Sequence, residues 1–167
     1  MSERRHYVTD DGRYIVVDGR RWRATDPSVP EDLRDELVRE LMRARRLIKN
    51  GDTSARARVH DAKTALGERG EPWWEATGDG VRARVAAGVD ALLRAREGGP
   101  VLLGEAARIV GEAGWRSRLE AVRDVARSRR RSGDWDLPDG DGPDAEASSE
   151  ELRILPGPEF DAGTGRA

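Results

Sequence analysis

Apolar and polar residues alternate near the start of the chain in a way that predicts a three-stranded meander. Two Asp-Gly pairs, Asp11-Gly12 and Asp18-Gly19, separate short apolar runs, and Asp-Gly favours the tight turns of β-hairpins. The predicted strands cover about residues 7–9, 14–17 and 20–24. Because so small a sheet is not stable alone, we expect a helix against its apolar face.

The pattern then changes to a helical period. Apolar residues recur three and four positions apart from Leu33 to Ile48, and again from Ala55 to Leu66, as in amphipathic helices. Ser28 and Glu31 match a capping box at the start of the first helix, and Asn50-Gly51 marks its end. The short link predicts an antiparallel αα-hairpin, and its outer face is rich in arginine.

The second half predicts three more helices and two terminal strands. Helical spacing covers about residues 81–96, 105–110 and 115–131, with a short extended run at 101–103. Strands are predicted to begin at Trp135 and Leu152. The Gly-, Asp- and Ser-rich segment between them is predicted to be a flexible loop.

Composition limits the classes of function. Charged residues make up 37% of the chain, against roughly 25% in typical globular proteins. The absence of cysteine excludes disulfides, thiolate metal sites and cysteine nucleophiles. The first residues lack the apolar core of a signal peptide, and no apolar run is long enough to span a bilayer. These features predict a cytoplasmic protein without membrane contact.

The sequence contains no recognisable catalytic or metal-binding pattern. His6 and His60 are the only histidines, and neither lies in an H-x-x-x-H or H-E-x-x-H context. Phosphate-binding loops, nucleophile elbows and dinucleotide fingerprints are missing as well. We therefore predict that the protein is not an enzyme, and that it has no catalytic residue, no metal, no cofactor and no evident small-molecule ligand.

The first half resembles an uncharacterised family of small actinobacterial proteins. The signature is D-G-R-R-W-R-A-T-D-P-S at residues 18–28, followed by the arginine-rich helix pair and by G-E-R-G-E-P-W-W-E at residues 67–75. Such proteins are sometimes labelled biopolymer transporters of the Tol type. The sequence offers neither a membrane segment nor a propeller-like repeat in support of that label.

The second half resembles bacterial winged-helix-like domains of unknown function. The matching features are Arg94-Ala95-Arg96, the Gly104–Gly111 helix, Trp115-Arg116, Val122-Arg123 and the turn at residues 132–135. The resemblance implies three helices with a two-stranded wing. Wings of this kind usually carry basic residues, whereas residues 134–151 are strongly acidic.

The expected fold class is therefore α+β. A small three-stranded antiparallel meander packed on an αα-hairpin covers residues 1–76, and a winged-helix-like three-helix domain with a two-stranded wing covers residues 77–155. Residues 156–167 are predicted to be a disordered tail.

The arginines of the last helix are the strongest candidates for a binding role. Residues 73–132 contain 12 Arg and 8 acidic residues, whereas residues 133–167 contain 2 Arg and 10 acidic residues. In a helix-turn-helix arrangement this helix would lie in the major groove of duplex DNA. The alternative is a solvated face on which arginines pair with neighbouring acids. The candidate nucleic-acid-binding residues are Arg116, Arg118, Arg123, Arg127 and Arg130, within a cluster that also includes Arg129 and Arg131.

Trp73 and Trp74 are candidates for binding a protein partner. Adjacent indoles can serve as a stacking platform, but such a pair also commonly closes a helical hairpin against a sheet. The leading functional hypothesis is a non-enzymatic protein that binds DNA or a regulatory partner through the C-terminal module. The alternative is a protein–protein interaction module that uses the arginine-rich hairpin and the Trp-rich junction, without nucleic-acid contact.

Overall fold

A three-stranded antiparallel meander opens the fold, as the two Asp-Gly pairs predict. The computed structural model describes residues 6–140 and 149–163. Strands β1 (His6–Val8), β2 (Tyr14–Val17) and β3 (Arg20–Arg23) lie in that order. Asp18 and Gly19 both have positive φ, at 50° and 79°, which matches the turn that a two-residue hairpin requires.

The meander is followed by an αα-hairpin. Helix α1 (Glu31–Lys49) leads through a 3₁₀ turn (Thr53–Ala55) into helix α2 (Arg56–Ala65). The predicted capping box is wrong, because the Ser28 hydroxyl donates to Asp26 at 2.6 Å and no side chain caps the helix. Pro30 stands at the N-cap instead, where its missing N–H leaves nothing unsatisfied.

The C-terminal half contains three helices and a second small antiparallel sheet. It contains helix α3 (Gly78–Ala95), strand β4 (Val101–Leu102), helix α4 (Leu103–Arg108), a 3₁₀ turn (Trp115–Arg118), helix α5 (Leu119–Ser132), strand β5 (Trp135–Asp136), a 3₁₀ turn (Ser149–Glu151) and strand β6 (Arg153–Pro156). The last strand lies in the middle of the antiparallel sheet, whose order is β4-β6-β5. The α+β class is therefore confirmed. In the acidic segment that follows β5, residues 141–148 lie outside the described part of the chain.

One continuous apolar core joins the two halves. Leu37 from α1, Leu92 from α3, Val122 from α5 and Ile154 from β6 are all fully buried members of it. Each helix contributes an apolar stripe, and burial of that stripe is the main stabilising term in folding. The two predicted modules therefore share a core, with α3 between the hairpin and the rest of the C-terminal module.

Residues 156–163, which the sequence assigns to a disordered tail, return along the C-terminal module. The backbone N–H of Gly157 donates to the Asp134 carbonyl at 2.8 Å, and that of Glu159 donates to the Gly133 carbonyl at 2.9 Å. Phe160 packs against the core, and this apolar contact offsets part of the entropy lost when the segment is ordered. Residues 164–167 lie outside the described residues.

Candidate nucleic-acid interface

Helix α5 has one buried face and one charged face. Val122, Val125 and Ala126 point into the core. At about 100° per residue, Arg123, Arg127 and Arg130 fall within about 60° of one another around the helix. Arg130 is exposed, and Arg123 and Arg127 are half-buried. Three of the predicted site residues thus form a row along one flank of α5.

The two arginines before α5 have different surroundings. Arg116 has a 70% exposed side chain, lies 4.3 Å from the centre of the Trp115 ring and contacts Glu150 at 3.5 Å. Arg118 is half-buried and donates to the carbonyls of Gly111 at 2.8 Å and Ala113 at 3.3 Å. Arg116 is therefore an exposed charge just before α5, whereas Arg118 holds the loop between α4 and α5.

Arg129, a member of the predicted cluster, joins three elements of the module. Its guanidinium donates to Asp90 of α3 at 2.8 Å and to Asp134, just before β5, at 3.0 Å. Asp90 also accepts a hydrogen bond from the Trp135 indole at 2.7 Å. Burial raises the pKa of Asp90 to about 6, although the charge of Arg129 and the indole N–H oppose that rise. Arg129 thus stabilises the module from within.

Acidic side chains lie beside the arginine row. Arg127 contacts Glu120 at 3.5 Å and Asp124 at 3.4 Å. Both carboxylates are more than half exposed, and exposed ion pairs at such distances contribute little to stability.

In the described part of the acidic segment after β5, Asp139 forms an ion pair with Arg153 at 2.7 Å. Its hydrogen bonds with Arg153 lower the pKa of Asp139 to about 2.

Trp73 and Trp74 connect the meander to the end of the helical hairpin. Their rings meet edge to face with centroids 5.1 Å apart, and Trp74 makes a similar contact with Tyr14 at 5.6 Å. The Trp73 indole donates to the Ala24 carbonyl at 3.1 Å, and the Arg13 guanidinium lies 4.9 Å from the centre of the Trp74 ring. Both indoles are half-buried, so their geometry is that of a joint between sheet and helices.

The described residues provide no metal site and no membrane span. Across residues 6–140 and 149–163, His, Asp and Glu side chains nowhere gather in threes that could hold a metal ion. His6 is exposed, and the ring of His60 lies 3.4 Å from a guanidinium nitrogen of Arg69. Over the same residues, none of the helices is long and apolar enough to cross a bilayer.

Sequence reasoning missed a cavity at the C-terminal ends of α1 and α3. Its volume is about 750 Å³, and Arg43, Arg58 and Arg94 contribute to its lining. One signal was available, because Arg58 follows Ala55 by three residues and precedes Ala62 by four. That spacing places a charged residue on the apolar stripe of α2, where burial requires a partner. The partner, Glu40, comes from α1.

Comparisons of the chain with protein-family models, with curated proteins and with solved structures found no match.

Proposed function

We propose that the protein is a non-enzymatic, cytoplasmic DNA-binding protein whose C-terminal winged-helix-like module contacts duplex DNA through α5. The observation that carries the proposal is the row formed by Arg123, Arg127 and Arg130 on the flank of the module's third helix. In helix-turn-helix proteins the corresponding helix enters the major groove. Arg116 precedes α5 in the chain and is largely exposed.

The chemistry of the row suits phosphate contacts and guanine edges. A guanidinium presents a planar set of donors that can engage phosphate or the guanine edge with two hydrogen bonds. The spacing of four and then three residues places successive guanidinium groups about one helical turn apart. Contacts at this spacing can follow a phosphate backbone along the groove.

The acidic neighbours do not prevent such contacts. The distances from Arg127 to Glu120 and Asp124 are 3.5 and 3.4 Å, and these carboxylates are exposed. Exposed pairs of this kind stabilise a protein by about 0–1 kcal/mol, so a DNA phosphate can replace a carboxylate at small cost. The acids still repel the backbone, and we therefore expect weak binding that depends strongly on salt.

The test is a fluorescence-anisotropy titration of the full chain with a labelled duplex at low salt, repeated over a series of salt concentrations. Each phosphate contact adds roughly −0.9 to the slope of log K against log salt. Replacing Arg123, Arg127 and Arg130 together by Gln should weaken binding and reduce the magnitude of the slope by roughly 2–3. The control replaces the same number of exposed arginines on α1: Arg39, Arg45 and Arg46.

The outcomes separate a specific interface from general charge. Loss of binding in the α5 variant, with binding retained in the α1 variant, supports the proposal. Equal losses in both variants contradict it, because net charge alone then explains the affinity. Absence of binding at low salt also contradicts it and leaves the protein-interaction alternative, for which α1 offers Val38 and Met42, each 37% exposed.

A further inference from the structure

The cavity at the C-terminal ends of α1 and α3 combines an apolar wall with arginine side chains. Leu47 of α1, Leu93 of α3 and Phe160 of the returning segment contribute apolar lining. The volume of about 750 Å³ lies within the range of small-molecule sites, roughly 300–1,000 Å³. Such sites are lined mainly by apolar groups, with a few polar groups that fix the ligand's orientation.

Two of the arginines are buried and still have donor capacity. Arg58 is 5% exposed and donates to Glu40 through Nε and Nη2, while Arg94 is 8% exposed and donates to the Asp161 carbonyl and to Asp61 through Nε and Nη1. Within the described part of the chain, Nη1 of Arg58 and Nη2 of Arg94 make no hydrogen bond, and neither belongs to the fully enclosed atoms. Each nitrogen therefore keeps unused donor capacity on a residue that lines the cavity.

A third arginine, Arg43, lines the cavity without a salt bridge or a hydrogen bond to any described residue. Arg43 is exposed. Arg58 and Arg94 are balanced by Glu40 and Asp61. Glu97, which carries the opposite charge, also lines the cavity and is exposed.

We propose that this cavity binds an amphipathic carboxylate. The apolar body lies against Leu47, Leu93 and Phe160, and the carboxylate accepts hydrogen bonds from the arginines. Burial of apolar surface supplies most of the affinity, and charge-assisted hydrogen bonds from guanidinium groups select the anion. This inference goes beyond DNA binding, and it is independent of it because no residue of α5 lines the cavity.

Isothermal titration calorimetry of the full chain with four probes tests the ligand class. Decanoate and naphthoate carry a carboxylate on an alkyl and an aromatic body, decanol carries the alkyl body alone, and acetate carries the carboxylate alone. All are used below micelle-forming concentrations. We expect binding of decanoate or naphthoate, with decanol and acetate at least tenfold weaker. The tighter of the two acids identifies the apolar body.

Two charge variants of opposite sign test the site. Arg43→Gln should weaken binding of the preferred acid about tenfold, since a hydrogen bond to a charged group is lost. Glu97→Gln should tighten binding, because a repulsive carboxylate is removed. Arg45→Gln, on the exposed surface of α1 and outside the cavity lining, is the matched control and should leave the affinity unchanged.

Three results would overturn the proposal. The first is no heat of binding for either acid. The second is decanol binding as tightly as decanoate, which would show that the arginines do not select the anion. The third is an equal response of the Arg43→Gln and Arg45→Gln variants, which would place the acid outside the cavity.

Discussion

Replacing Glu40 by Leu tests how the helical hairpin is held together. Glu40 of α1 and Arg58 of α2 form a two-bonded ion pair, with distances of 2.7 Å from Nε to Oε1 and 2.9 Å from Nη2 to Oε2. Glu40 is 1% exposed and Arg58 is 5% exposed. In the Glu40→Leu variant an apolar side chain of similar volume fills the position, and the Arg58 guanidinium is left without its carboxylate partner.

The expected loss of folding stability follows from the burial of the Glu40–Arg58 ion pair. Breaking a buried ion pair by removal of one partner costs about 3–5 kcal/mol, because the remaining charge is left without compensation. Replacing both partners by apolar residues of similar volume is often close to neutral. We therefore expect Glu40→Leu to lower the free energy of unfolding by about 3–5 kcal/mol, with the melting temperature falling by roughly 6–20 °C. The double variant Glu40→Leu/Arg58→Met should recover most of that loss.

The assay is urea unfolding followed by far-UV circular dichroism for the wild type, both single variants and the double variant. The exposed pair Asp79–Arg82, at 3.5 Å with side chains 95% and 48% exposed, is the matched control. Asp79→Leu should change stability within experimental error, because solvent screens such a pair. A Glu40→Leu loss below about 1 kcal/mol, or a double variant no more stable than Glu40→Leu alone, would contradict a stabilising role for Glu40 as the partner of a buried charge.

Two further predictions concern α3. Burial raises the pKa of Asp90 in the folded protein to about 6, against an ordinary value of 3.8, so the contribution of Asp90 to stability should fall as pH rises between these values. Asp90→Asn should remove that fall in pH-dependent urea unfolding, and a profile identical to the wild type would contradict the assignment. A Cβ on Gly88 would lie 2.6 Å from Cδ1 of Ile109, so Gly88→Ala should cost about 1–2 kcal/mol despite better helix propensity. Ile109→Val should recover part of this loss in the same assay, whereas a Gly88→Ala variant more stable than the wild type would contradict close packing.

Local patterns predicted the elements that depend on neighbouring residues. The Asp18-Gly19 turn places β2 and β3 in register, because the conformation that this turn requires is available to the dipeptide. Asn50 ends α1, as expected from its position after the last apolar residue of the stripe. The capping box failed for a local reason as well, since Asp26 lies two residues from Ser28 and accepts its hydroxyl. Asp, Asn and Ser side chains commonly form such competing bonds.

For the candidate interface too, the sequence predicted some features and could not predict others. Helical spacing alone placed Arg123, Arg127 and Arg130 on one flank of α5, because their angular positions follow from the helix period. It could not show that Arg118 donates to the Gly111 carbonyl or that Arg129 binds Asp90, 39 residues away. Those partners come from other elements, and a sequence with many acids offers many equally good local partners.

Local sequence patterns were enough to predict the main strands and helices, and to predict which helix carries the arginine row. Three features arise only in the folded chain: β6 lies between β4 and β5, Glu40 pairs with Arg58, and Phe160 and Leu93 line the same cavity. Local patterns could not predict these contacts because the residues involved lie far apart along the chain. Turn and helix preferences are set by interactions over a few residues, whereas these contacts form only when burial of the shared core brings remote segments together.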